Sequence, residues 1–556
     1  MRRVRARRAG GRVLLRVLPL LCLMSAPVPT AAGSGDSVES RIAALLDKMT
    51  LTEKVGQMSQ VHAEGANAPD ELGDAIRAGR IGSVINNVDL DVVSELQRIA
   101  VEESRLGIPL LFGRDVIHGF RTIFPIPLGQ AATWNPELVR EGARFAAREA
   151  ATRGINWTFA PMMDITRDPR WGRIAESLGE DPYLASELAV AMVEGFQGED
   201  LSAPGAIAAT AKHFAGYGES ESGRDYATTN IPENELRNVH LRPFRAAVDA
   251  GVSTVMPSFS DLNGVPASAN AFLMRQVLRD EWGFDGFVVS DWRSIDQLSI
   301  HGLTADDRES ALAAATAGIN MEMAGSTYIE HLPALVEEGR IDIATIDAAV
   351  AEILRTKFEL GLFERPWADV DELPPTGAAD ALAASRQTAL QSVVMLRNES
   401  RVLPLDADRL SSLAVIGQLA DAPYEQLGTW VFDGDPSLSV TALDGLRDLA
   451  HQELRRHVVT KTLVVGVGDQ GGVFDAHASL VRMLRVQWQV CPARFEHPVE
   501  GHHHFQRSFA EHPDHRLRPH ARRAKPPGQL VGSPFQFLVR KPLLTAHQGL
   551  GVRRRL

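Results

Sequence analysis

Five apolar runs in this chain each hand over to a polar or charged side chain. Asp115 follows PLLFGR, Asp164 follows NWTFAPMM, Lys212 and His213 follow AIAATA, Ser258 follows STVMP, and Asp291 follows GFVVS. A buried strand gains nothing by ending in a carboxylate, because a charge taken out of water is costly unless paired. One such Asp is usually a helix cap or an ion-pair partner; five polar endings at matching places are hard to explain as caps. Carboxylates mixed with Lys, Arg and His, near Trp134, Trp157, Trp171 and Trp292, make a surface that hydrogen-bonds hydroxyls and stacks on an apolar ring face. Sugars need that combination. Other chemistries find less support. There is no glycine loop followed by Lys-Ser/Thr to cradle phosphate, no G-x-S-x-G elbow and no metal-ligand spacing in the main body. No cofactor and no metal are expected.

The elements that must position these residues alternate. Strand-like runs begin at Gly56, Ile81, Ile108, Ile155, Ala206, Val252, Phe287 and Ile319, with helical stretches such as residues 91–107 and 136–154 between them, each closing on glycine. Alternation of this kind predicts a parallel sheet, and about eight units over residues 37–365 predict an α/β fold of the (β/α)8 barrel type, with an open doubly wound sheet as the alternative. In a parallel barrel all the strand C-termini share one rim, where such a fold builds its sites. Residues 366–380 lie in a Pro-rich, acidic stretch that reads as a linker. A helix over 381–398 and the strand LAVIGQLAD then open a second α/β domain, 381–450.

Four stretches, GRDVIHGFRTIFPIPLGQAATWNPELV, APMMDITRDPRWGRIAESLGEDPYL, KHFAGYGESESGRDYATTN and GFVVSDW, resemble the successive signatures of glycoside hydrolase family 3, the β-glucosidase family. The resemblance covers about residues 42–450. It implies a retaining, exo-acting hydrolase of oligosaccharides or β-glucosides, with a TIM-type barrel followed by an α/β sandwich. By resemblance, Asp291 in SDW matches the nucleophile and Trp292 floors the sugar site. Asp115 matches the aspartate that holds hydroxyls, with Arg173 in WGR, Lys212 and His213 as hydroxyl donors. Trp430 in LGTW matches the aromatic that faces the sugar from the second domain. The positive charges around Asp291 are expected to help keep it ionised. Asp164, Asp168, Glu176 and Glu180 read as partners of Arg167, Arg170 and Arg173, and His118 as a donor beside Asp115. Phe259 stands where many relatives have tyrosine. The loop carrying Arg224 and Asp225 looks like the glucosidase branch, since it lacks the Asp-Ser-His run of the N-acetylglucosaminidase branch.

A retaining glycosidase needs a second carboxyl about 5 Å from the first, and in the family it comes from the second domain, beyond Ala450 here. Residues 451–556 instead hold 17 Lys+Arg against 7 Asp+Glu and 11 of the 17 histidines, with no core-forming periodicity. A frameshift near codon 450 is the simplest reading of this break. Asp469 is the one candidate substitute acid; GVGDQG, from Gly466, is a weak dinucleotide-loop match. The chemistry therefore admits an active β-glucosidase, a related β-xylosidase or exo-glucanase, or a sugar-binding barrel left with a nucleophile and no acid.

The remaining bounds are broad. A net charge of −12 speaks against a nucleic-acid partner. A basic start, a short apolar run and small residues near Ala32 read as an export signal over 1–32, so a secreted or periplasmic protein free of the membrane is expected. With Cys22 and Cys491 the only cysteines, the main body has no disulfide and no thiol nucleophile.

Overall fold

The structure is a computed structural model that describes residues 37–368, 370–406, 412–454 and 462–466. The expected signal segment, most of the basic tail and Asp469 lie outside the described residues.

Eight parallel strands form the main unit, and each begins within one of the eight apolar runs. They are β1 (Ser59–His62), β2 (Ser83–Ile85), β3 (Leu111–Arg114), β4 (Trp157–Thr158), β5 (Thr210–Phe214), β6 (Thr254–Pro257), β7 (Phe287–Val288) and β8 (Glu322–Met323). Pairing runs β8-β1-β2-β3-β4 and β5-β6-β7. Parallel bridges Trp157↔Ala208 and Val289↔Met321 join the two sets, so the ring closes. The barrel, and not the open sheet, is the fold. Its interior is a packed core with a polar layer: the Trp157 indole N–H lies 2.9 Å and 3.0 Å from the Thr210 and Thr254 hydroxyls.

The helices between strands carry ordinary start and stop signals. Pro136–Ala151 opens with proline in its first turn, and Pro182–Gln197 is capped by Asp181, which accepts from the N–H groups of Tyr183 and Leu184. The stretch read as one helix over 91–107 divides into Leu90–Arg98 and a wider turn, Ile99–Glu103.

Beyond residue 378 a second unit contributes a helix, Ala379–Ser392, then β9 (Ser412–Ile416), a helix, Ala442–Leu454, and β10 (Thr462–Gly466). β9 and β10 pair in parallel, which makes a βαβ unit. One expectation needs correcting here. The helix expected to reach residue 398 stops at Ser392. Val393 and Val394 are β-branched, which disfavours helix; Val393 is extended, and Val393–Leu396 are all exposed. Residues 462–466, strand-like in sequence although the tail around them lacks core-forming periodicity, pair with β9.

The segment 428–435 of this second unit rests on the barrel rim. Arg114 and Asp433 form a buried pair at 2.8 Å, Arg121 donates to the Asp433 carbonyl, and the Asp435 N–H donates to the Arg121 carbonyl. The fit demands glycine at 428, whose φ is +94° and where a Cβ would stand 2.7 Å from the Ile126 side chain.

Candidate active site

The rim gathers Asp115, Arg173, Lys212, His213, Asp291 and Trp430, whereas Trp157 lies in the barrel core and Trp134 is exposed. Lys212 donates to Asp115 Oδ1 at 2.9 Å across the barrel from β5 to the end of β3. Its neighbour His213 places Nε2 3.7 Å from Asp291 Oδ2, three residues beyond β7. Consecutive strand residues ordinarily face opposite ways. Here the register of β5 against β6 shifts between Lys212 and Phe214, so both side chains serve the same rim. Arg173, from the short turn 172–176, donates to His213 Nε2 at 2.9 Å and to Glu176 at 2.7 Å. Its guanidinium lies 5.8 Å from the Trp430 ring and 5.4 Å from that of Tyr217. Trp292 is half-buried and meets the His62 ring edge-on at 5.2 Å.

His213 is fixed as a neutral imidazole. Nε2 accepts from Arg173, so Nδ1 carries the proton and donates to Asp164 Oδ2 at 2.8 Å, while the His213 backbone N–H reaches the same oxygen at 3.0 Å. Burial, then the Arg173 and Lys212 charges, holds its pKa well below the usual range. The His213–Asp291 approach is therefore no ion pair. Burial lifts Asp164 to about 7, against its hydrogen bonds and Arg173.

Asp291 itself is 8% exposed. Oδ1 accepts the Trp292 backbone N–H at 2.6 Å, and Oδ2 has no hydrogen-bond partner among the described residues. Burial is the largest influence and pushes its pKa up to about 6, while Arg173, Lys212 and the Trp292 N–H pull it down and Asp115 pushes it up. The cations thus favour the ionised form, as expected, but a larger desolvation outweighs them. Glu176 is likewise pushed up by burial, but Arg173 outweighs that and keeps it below the carboxylate range.

Several residues differ from their expected partners. Asp168 pairs with Arg170 and Glu176 with Arg173, as the sequence predicts. Asp164 orients His213 and not an arginine, and Arg167 pairs with Glu235 at 3.2 Å. His118 does not bond Asp115; its ring faces the carbonyls of Phe124 and Thr429. The Ser258 hydroxyl turns to Ser260. Phe259 packs its ring 4.5 Å from Tyr226, a residue the sequence did not single out, whose phenol pKa is raised by burial and then by Asp291 and Asp225. Asp225 accepts from the Trp171 indole at 3.0 Å. No set of three His, Cys, Asp or Glu side chains disposed to hold a metal occurs among the described residues, and no helix there is long and apolar enough to cross a membrane.

A closed parallel barrel with carboxylates and cations converging on the strand C-termini has the arrangement in which this fold builds its sites. Residues 50–356 match the glycosyl hydrolase family 3 N terminal domain, and the chain belongs to that family. It is 39% identical over 410 residues to a periplasmic beta-glucosidase of Salmonella typhimurium, covering 73% of this chain and 53% of that protein. A beta-xylosidase of Formosa agariphila is 34% identical over 444 residues, covering 75% and 56%. Among solved structures, the beta-glucosidase of Listeria innocua in complex with isofagomine superposes with a TM-score of 0.71 at 36% identity, covering 78% of this chain and 60% of that one. The chain thus spans about half the length of the curated relatives it matches.

Proposed function

We propose that this chain is the barrel-bearing part of a retaining, exo-acting β-glycosidase that takes a glucose-like residue from the non-reducing end of an oligosaccharide or β-glucoside. The observation that carries this reading is the state of Asp291: a buried carboxylate with one oxygen unpartnered, beside a neutral imidazole and two cations. Such an oxygen is free to bond an anomeric carbon. In the mechanism that follows, Asp115 accepts from sugar hydroxyls while Lys212 and Arg173 donate to their oxygens by charge-assisted hydrogen bonds; His213, expected as a hydroxyl donor, has its one ring N–H on Asp164 and instead holds Arg173 through Nε2. Trp292 and Trp430 supply the apolar faces. Attack by Oδ2 breaks the bond to the leaving oxygen and forms a glycosyl ester, which water then cleaves. The beta-xylosidase and beta-glucosidase names among the relatives agree with a small β-linked sugar, and the periplasmic one agrees with the export signal proposed for residues 1–32.

A second reading is favoured by one observation. Asp115 is the carboxylate that acts on Asp291, and it is tied to Lys212; it is not free to protonate a leaving group. If no carboxyl of the second domain reaches the rim, the chain binds sugars and turns over only activated ones. The test is dinitrophenol release from 2,4-dinitrophenyl β-glucoside, with and without azide. A leaving group of this kind needs little protonation. A burst that stalls and is restarted by azide as glucosyl azide means a working nucleophile without an acid/base; steady release indifferent to azide means that both are present. No release at all would overturn the assignment of Asp291.

A further inference from the structure

We infer that His118 is a positioning residue that seats Trp430 over the sugar site, through its Nε2 and not its Nδ1; the sugar part of this statement rests on the function proposed above. The ring is buried on the loop after β3 and lies between two backbone carbonyls. Nδ1 is 2.8 Å from the carbonyl of Phe124, six residues on in the same loop. Nε2 is 2.6 Å from the carbonyl of Thr429, in the second unit and immediately before Trp430.

Three features make this contact consequential. Trp430 has a φ of +56°, a backbone conformation that L side chains avoid and that its surroundings must hold. Gly428 packs against the same ring, where an added Cβ would stand 3.7 Å from the His118 ring carbon Cε1. Trp430 in turn lies over Arg173, the cation shared by Glu176 and His213, and its side chain helps keep Glu176 ionised. Both carbonyls can only accept and a neutral ring carries one N–H, so only one contact is a hydrogen bond, and we assign the proton to the shorter, to Thr429; the backbone at 429–430 is then pinned from below by Nε2, and the indole it carries covers the donor cluster. The Arg114–Asp433 pair anchors the same segment a few residues later, but it leaves the backbone turn at 429–430 to His118.

The two nitrogens can be tested apart, because the amide nitrogen of glutamine overlays Nε2 and that of asparagine overlays Nδ1. His118→Gln keeps a donor toward Thr429, and His118→Asn keeps one toward Phe124. The experiment uses the full chain and two readouts. One is acrylamide quenching of Trp430, taken as the difference between each protein and its Trp430→Phe counterpart; the other is the dissociation constant for glucose by titration calorimetry. His118→Asn is expected to expose Trp430 and to weaken glucose about tenfold, the scale of one lost buried hydrogen bond. His118→Gln should stay within about threefold of the unmodified chain. Adding Trp430→Ala to His118→Asn should cost little more than either change alone, since both act through one indole.

Equal effects of Asn and Gln, or a larger effect of Gln, would overturn the assignment, since a ring that merely braces its own loop depends on Nδ1. If neither variant folds, an ¹H–¹⁵N spectrum of the unmodified chain decides: a proton on Nε2 is required, and its absence overturns the inference. Quenching that separates Asn from Gln in a chain that binds no glucose would uphold the seating of Trp430 and overturn the sugar reading instead.

Discussion

Two lysines are buried at opposite ends of the same barrel, and they are held in different ways. Lys212, at the strand C-termini, makes one hydrogen bond among the described residues, to the carboxylate of Asp115. Lys357, on the last helix of the barrel, Ile343–Glu359, reaches the strand N-termini and donates to three neutral oxygens: Gln57 Oε1 at 2.7 Å, the Gly82 carbonyl at 2.9 Å and the Pro109 carbonyl at 2.7 Å. Those oxygens precede β1, β2 and β3, so this ammonium ties three strand ends together. All three of its N–H groups are used, and it has nothing left to offer a ligand. Lys212 keeps two. The difference shows what separates a structural cation from one fit for a site: the first is saturated by neutral acceptors, and the second is charge-balanced but left with unmet hydrogen-bonding capacity.

Substitutions at the two ends should therefore separate activity from stability. The largest effect is expected from Asp291→Asn, which should cut the first turnover of 2,4-dinitrophenyl β-glucoside by about 10⁴-fold or more with an unchanged unfolding midpoint in urea. Comparable turnover in that variant would remove the rim from the chemistry. Asp115→Ala should follow, at about 10³-fold in kcat/KM, because it deletes hydroxyl contacts and frees Lys212 at once; an effect below tenfold would mean that the pair is structural, like Lys357.

At the other end Lys357→Met should leave turnover alone and cost about 2 kcal/mol of unfolding free energy, as Pro109 and Gln57 lose a donor. It should also change the pH dependence of stability. Burial lowers the Lys357 pKa to about 7, whereas the unfolded side chain titrates near 10.4. Between these values the unfolded chain binds more protons, so this residue makes stability rise with pH from about 7 upward. Urea unfolding from pH 6 to 10 should show the rise in the unmodified chain and its loss in the variant.

The smallest effect is a displaced pH limb. Asp291 attacks only when ionised, and its pKa is about 6, so the first-turnover rate should climb as pH rises through about 6. Lys212→Met removes a positive charge that favours the carboxylate, so the limb should move to higher pH. A limb that stays in place would mean that Lys212 acts on the sugar alone.

How much of this was legible in the sequence varies by residue. Asp291 was plain, because a polar ending to an apolar run is local. The partner of Asp164 was not: its neighbours in sequence are arginines, but a shift of register in β5 turns His213 toward it. His118 was expected beside Asp115, three residues away, and instead reaches a segment 311 residues on. The helix end at Ser392 was missed because helical periodicity was carried across two valines that favour extended backbone. Lys357 gave no signal at all, since its acceptors are a side chain and two carbonyls that come together only when β1, β2 and β3 are aligned.

The sequence by itself determined the alternation of parallel strands with helices and the polar endings of those strands, because strand alternation, glycine stops and strand-end polarity are written over a few residues at a time; the closing of the strands into a ring, where an open sheet was the alternative, needed the tertiary structure. Only the tertiary structure decided which charge meets which, the tautomer of His213, the ionisation of Asp291 and the seat of Trp430. Those depend on distances of a few ångströms between side chains far apart in the chain, and on how much water the closed barrel excludes; neither is set until the ring of strands has closed.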